Sequence, residues 1–174
     1  MTFQLSNAAF PAYETSLNAL SALLDKAEAF AAAKKIDGAV LLQTRLAPDM
    51  FPMSRQVQIA CDLAKNGLAR LAEAEAPRFE DTETTIEQLK ARIAKTLAFV
   101  KTLDRARIDA SVARDITFAM GPTNKGVMKG ADYLTMYVTP NVYFHITAAY
   151  GILRSCGVDV GKRDFLGAIP LTMV

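Results

Sequence analysis

Four stretches of this 174-residue chain repeat apolar residues at alternating spacings of three and four, a period that commits most of the chain to packed helices. The first carries Tyr13, Leu17, Leu20, Leu24, Ala27 and Ala31. At 1.5 Å per residue that span is a helix of about 27 Å. Pro11 falls in its first turns or bends it, because proline is tolerated at a helix start and disruptive inside. In the second stretch Val57, Cys61, Ala64, Leu68 and Leu71 keep the spacing, while Ile59 and Leu63 widen the apolar face. The third opens among Asp81, Thr82 and Thr84, where Thr84 and Glu87 have capping-box spacing, and continues through Ile86, Leu89, Ile93, Leu97, Val100 and Leu103. The fourth runs from about Asp132 to Cys156, with a kink or break expected at Pro140 and Gly157 as a left-handed cap.

Four helices of this kind predict an all-α fold, a four-helix bundle forming a single domain over residues 1–174. Residues 34–52 read as an ordered crossing, with Asp37 capping a short helix through Leu42 and with Pro48 and Pro52 punctuating the approach to the second helix. The second and third helices are joined by about eight residues, which stretch about 26 Å, so a parallel crossing of the two is tight. Between Arg105 and Ala131 the period changes to that of a strand. Ile116, Phe118 and Met120 alternate with Thr117 and Ala119, Gly121 to Asn124 form a turn, and Val127 to Lys129 return. A small β-hairpin is therefore expected before the last long helix, laying Ile116 and Phe118 on the helices. Val158 to Val174 is too rich in Gly and Pro for a helix, yet Phe165, Leu166, Ile169 and Leu171 should pack it as an ordered tail.

Charge narrows the function classes. Lys plus Arg number 20 against 18 Asp plus Glu, and the basic pairs Lys34-Lys35 and Lys162-Arg163 fall short of a phosphate-tracking stripe, so no nucleic acid partner is expected. No apolar run reaches the ~18 residues of a bilayer span, and Met1 to Gln4 lack a signal-peptide pattern. A cytoplasmic protein without a membrane partner is the expectation. Cys61 and Cys156 lack the spacing of a zinc knuckle or redox pair and read as free core thiols.

The one histidine, His145, has Asn141, Val142, Ala148 and Ala149 as helical neighbours. It is either a partly buried, satisfied histidine or a pocket residue with ligand space left by the two alanines. Gln58 and Asp62 lie four apart, flanking the apolar stripe of the second helix. They are either a solvated edge pair or a pair projecting into a groove, where a carboxylate could orient the histidine or help hold a metal. Tyr133, Tyr137, Tyr143, Phe144 and Tyr150 are core or interface filler, or else a ligand box. His145, Asp62, Gln58 and Tyr150 are the ligand-binding candidates. Gly126-x-x-x-Gly130 lacks the strand-to-helix setting of a phosphate loop, and no nucleophile elbow is present.

Arg45 to Pro52, Arg55 to Ala60, Pro77 with Phe79 to Thr82, Pro140 to His145, and Gly161 to Gly167 together resemble an uncharacterised bacterial family allied to the DinB/YfiT-like superfamily. The resemblance implies a four-helix bundle of up-down-down-up topology, a habit of dimerising, and a pocket between helices. Many members of that superfamily carry a metal on three histidines, one from the second helix and two from an H-x-x-x-H pair on the fourth, and some are thiol-dependent transferases or isomerases. Here that pair reads His145 to Ala149, and the second helix has no histidine. A catalytic metal needs about three protein ligands, so no metal and no cofactor are expected beyond a site rebuilt from His145, Asp62 and water.

The expected function is a small-molecule-binding module with a degenerate metal site and no assigned reaction. The alternatives are a metal-dependent, thiol-transferase-like enzyme and a structural homodimer without a ligand site. A homodimer is the expected partner state, because Ile59 and Leu63 need cover. If residues 41–46 or the tail at 165–171 do not supply it, a second copy would.

Overall fold

The computed structural model describes residues 4–172. Helix α1 (Leu5–Lys34) buries Tyr13, Leu17, Leu20, Leu24, Ala27 and Ala31, the stripe its spacing predicts. Pro11 lies inside this helix, a turn and a half from its start. The helix closes at Lys35 in the left-handed conformation, with the Ile36 amide returning to the Ala31 carbonyl at 3.0 Å. Asp37 then caps α2 (Gly38–Gln43) by accepting from the Ala39 amide, as expected. Helix α3 (Met53–Ala72) ends at Glu73.

Helix α4 (Ile86–Lys101) has its capping box one residue later than expected, on Thr85 and Gln88. The Gln88 side-chain oxygen accepts from both the Thr84 and Thr85 amides, while the Gln88 amide donates to Thr85 Oγ1. Since α3 stops at Ala72 and α4 starts at Ile86, the joining segment 73–85 is longer than the sequence suggested. A parallel pair is therefore not strained. A short helix absent from the sequence reading, α5 (Arg105–Ala110), is capped by Asp104.

Strands β1 (Asp115–Met120) and β2 (Asn124–Lys129) form the expected antiparallel hairpin, with Ile116 and Phe118 buried and Met120 exposed. The chain continues directly into α6 (Gly130–Asp132), a π-helical segment at Tyr133–Val138, and α7 (Thr139–Ser155). The expected break at Pro140 takes this π form. Proline has no N–H for the Met136 carbonyl, and the widened turn satisfies the backbone instead through Thr139 N–H to Leu134 C=O. Gly157 takes its left-handed role at φ 86°, with Val158 N–H returning to Leu153 C=O.

The tail corrects the reading in two respects. It contains a short helix, α8 (Lys162–Leu166), because the Asp164 carboxylate accepts from the Gly161 amide at 2.8 Å and pairs with Lys26. Phe165 packs on the core, but Leu166, Ile169 and Leu171 stay largely exposed. Residues 173 and 174 lie outside the described part.

Side-chain contacts give the helix directions. Lys90 reaches Asp25 and Lys101 reaches Glu14, so α1 and α4 are antiparallel. Gln56 meets His145 and Arg70 meets Tyr133, so α3 and α7 are antiparallel. Gln58 bonds Glu83 near the start of α4, and Ala72 and Leu103 lie together at the far ends, so α3 and α4 run parallel. Tyr13 bonds Thr139 at the start of α7, and Lys26 bonds Asp159 beyond its end, so α1 and α7 are parallel. One cluster of buried apolar residues draws on all four of these helices. The fold is mostly helical with a small two-stranded hairpin, and no described helix is long and apolar enough to cross a membrane.

Candidate functional site

Helix α7 turns His145 toward α3, where the ring is 8% exposed and its Nδ1 lies 2.7 Å from Gln56 Oε1. Gln56 Nε2 donates to the Phe51 carbonyl at 3.0 Å. Reversing that amide would set oxygen against oxygen at Phe51, so Gln56 Oε1 is an acceptor and His145 Nδ1 carries the proton. Burial, and then the nearby Arg55 guanidinium, push the imidazole pKa down to about 4. The ring is therefore neutral at pH 7, and its Nε2 lone pair has no protein partner among the described residues. The Phe144 ring stands edge-on to it at 5.2 Å.

The other three candidates occupy different surroundings. Gln58 is about 200° around α3 from Gln56 at 3.6 residues per turn, and its amide donates to Glu83 at 2.8 Å. Asp62 pairs with Arg92 at 3.0 Å and with Lys65 at 3.1 Å. Both belong to an ion cluster, centred on the buried Arg92, that straps segment 73–85 onto α3 and α4. Arg92 also meets Asp81 and Glu83, Arg55 meets Asp81, and Lys65 donates to the Pro77 carbonyl while lying over the Phe79 ring. Arg55, Lys65 and Arg92 balance Asp62, Asp81 and Glu83, leaving the cluster neutral. Tyr150 is about 140° around α7 from His145 and packs its ring against Phe165. The structure thus does not bring the four candidates to one point.

A groove that the sequence did not announce runs beside α3. Ile59, Leu63, Asn66 and Arg70 form one wall, and Phe118 of the hairpin with Tyr133 and Tyr137 of the π segment form the other. Its volume is about 260 Å³. Arg55 and Asp62 also line it, so one face of the ion cluster borders this groove. Ile59 and Leu63 face Phe118 and Tyr137 across this groove and stay half-buried, and neither residues 41–46 nor the tail lines it. The usable signal was the burial period of β1, which pointed Phe118 at the helices without saying which helix would receive it.

Residues 5–166 match the family described as Domain of unknown function (DUF1993). The chain belongs to this family. It is also similar to the crystal structure of a DinB family member protein from Shewanella denitrificans, at 44% identity and a TM-score of 0.86, covering 95% of this chain and 93% of that one. No curated protein matches the chain. This is a DinB-like protein.

The metal implied by the wider superfamily does not fit these residues. Gln56 holds His145 from α3 where a second-helix histidine would be needed, Ala149 fills the second slot on α7, and His145 Nδ1 is already engaged. Among the described residues no three His, Cys, Asp or Glu side chains come together as a ligand set. Cys61 is fully buried and its thiol is pushed up to about 12 by that burial, far from a thiolate at neutral pH.

Proposed function

We propose that this DUF1993 chain, a single domain over residues 1–174, is a binding module for a small organic molecule, built on a DinB-like frame whose metal site has degenerated. The observation that carries the reading is the fixed chain from Phe51 C=O through Gln56 to His145, which presents a neutral imidazole nitrogen as a hydrogen-bond acceptor and surrounds it with no further donors for a metal. His145, Asp62, Gln58 and Tyr150 stay as candidates. Their placement favours His145 for a direct contact, Asp62 for the groove wall, and Gln58 and Tyr150 for holding neighbouring segments. The helix directions support a four-helix bundle in up-down-down-up order. The test is equilibrium dialysis of untagged protein against zinc, nickel or manganese, followed by elemental analysis. Substoichiometric metal, equal in the parent and in His145→Ala, is expected. One equivalent of metal that disappears in His145→Ala would refute the reading.

A second copy of the chain is the partner we propose. Phe51, whose carbonyl accepts from Gln56, and Phe144, the residue before His145, are 54% and 58% exposed, which favours cover by another protein surface. Light scattering at micromolar concentration should give twice the 18.9 kDa chain mass, and a mass equal to one chain would sink the dimer.

A further inference from the structure

We infer that the groove between α3, the hairpin and the π segment binds a small aromatic carboxylate, with the carboxylate on Arg70 and the Tyr133 hydroxyl. This rests on the binding-module reading and names the class of ligand. Its shape argues for a flat ring. Phe118 lies 4.5 Å from Tyr137 and 4.8 Å from Tyr133, centroid to centroid, and the two tyrosine rings are within 18° of parallel. These rings face the half-buried aliphatic side chains of Ile59 and Leu63. A volume of about 260 Å³ lies below the roughly 300–1,000 Å³ of drug-sized sites, which limits the occupant to about one substituted ring.

The sign of the ligand's charge follows from what each ionised group already holds. Asp62 is neutralised by Arg92 and Lys65, and Arg55 is held by Asp81. Arg70 has no carboxylate partner among the described residues. Its Nη1 donates to Tyr133 Oη at 3.0 Å, which draws the guanidinium over the groove and leaves its other N–H groups open. Tyr133 is 1% exposed, and burial raises its pKa, so it keeps its proton. Having accepted from Arg70, that hydroxyl still has a hydrogen to donate. A planar guanidinium edge beside one phenolic O–H suits the two oxygens of a carboxylate. The aromatic and aliphatic walls leave the charged group one flat edge, which suits a planar carboxylate better than a tetrahedral phosphate.

The test uses benzoate and its neutral isostere benzamide as probes, titrated into the full chain and read by amide chemical shifts. Benzoate should shift Asn66, Arg70, Phe118 and Tyr137 with about tenfold higher affinity than benzamide, a factor worth 1.4 kcal/mol. Arg70 is exposed, so Arg70→Gln should fold normally and abolish the preference for benzoate, bringing its affinity down to that of benzamide. Equal binding of the two probes would overturn the carboxylate assignment while leaving the binding module standing. Shifts confined to residues around His145 would move the ligand out of this groove and overturn the inference. No shift with either probe would also overturn it, with the module reading then decided by the state of the imidazole.

Discussion

Replacing Arg92 with methionine should cost about 3–5 kcal/mol of folding free energy, the loss expected when one partner of a buried ion network is removed. The Arg92 side chain is 1% exposed and reaches Asp62, Asp81 and Glu83, and it also donates to the Glu80 carbonyl. Burial alone would lower its pKa, yet Glu83 and Asp62 outweigh that and hold it above the ordinary value. Methionine fills much of the volume but leaves those carboxylates facing only Lys65 and Arg55. Segment 73–85 would then lose its main tie to α4. Arg92→Lys keeps a charge without the planar fork that serves several acceptors at once, and should fall between the two. Urea unfolding reads all three proteins. A loss below about 1 kcal/mol for Arg92→Met would mean that the cluster behaves as an ordinary surface network.

Gly130→Ala should be comparably damaging for a steric reason. A Cβ on Gly130 would overlap the Ser111 carbonyl oxygen, which is backbone and has no rotamer to escape into. The two segments are locked at this point, since Gly130 N–H donates to Arg114 C=O and Ala131 N–H to Val112 C=O, each near 3 Å. Relief would require opening those bonds and lifting the hairpin from α3. A loss of roughly 3 kcal/mol or more is expected from such overpacking. Gly161→Ala is the control, because its nearest neighbour lies 3.9 Å away and its φ is −133°, so it should stay within about 0.5 kcal/mol of the parent. Equal unfolding midpoints for the two variants would contradict the close approach.

Much of this architecture was legible because burial imposes a period. The stripes from Tyr13 to Ala31 and from Val57 to Leu71, and the alternation of Ile116 and Phe118, are one-dimensional records of which face is covered. What escaped had no such record. Helix α5 buries only Ile108, too little to make a stripe, and α8 forms on a single aspartate cap amid glycines. The capping box slipped by one because adjacent threonines followed by Glu87 and Gln88 permit either register. Gln56 was missed as the partner of His145. Its stripe-mates Ala60 and Gly67 were the available signal, since small residues mark a close neighbour, and a Cβ on Gly67 would sit 2.5 Å from Val138. Gln58 and Asp62 stood on an edge of α3 whose facing element, segment 73–85, is placed by ion pairs from three separate parts of the chain. No local spacing encodes that arrangement.

The state of the histidine tests the central claim most directly, and the chain's single histidine makes it readable without assignment once any tag is removed. Nitrogen-15 NMR of the imidazole, followed through a pH titration, should show a neutral ring protonated on Nδ1 that titrates near pH 4. Because this folded value lies below the ordinary 6.5, the unfolded chain takes up a proton that the folded one refuses. The stability held above pH 6.5 should therefore fall as pH drops toward 4, by up to about 3 kcal/mol, and His145→Gln should lose that component. Zinc should leave the nitrogen shifts in place. A ring that titrates near 6.5, carries its proton on Nε2 or moves with one equivalent of zinc would contradict the account.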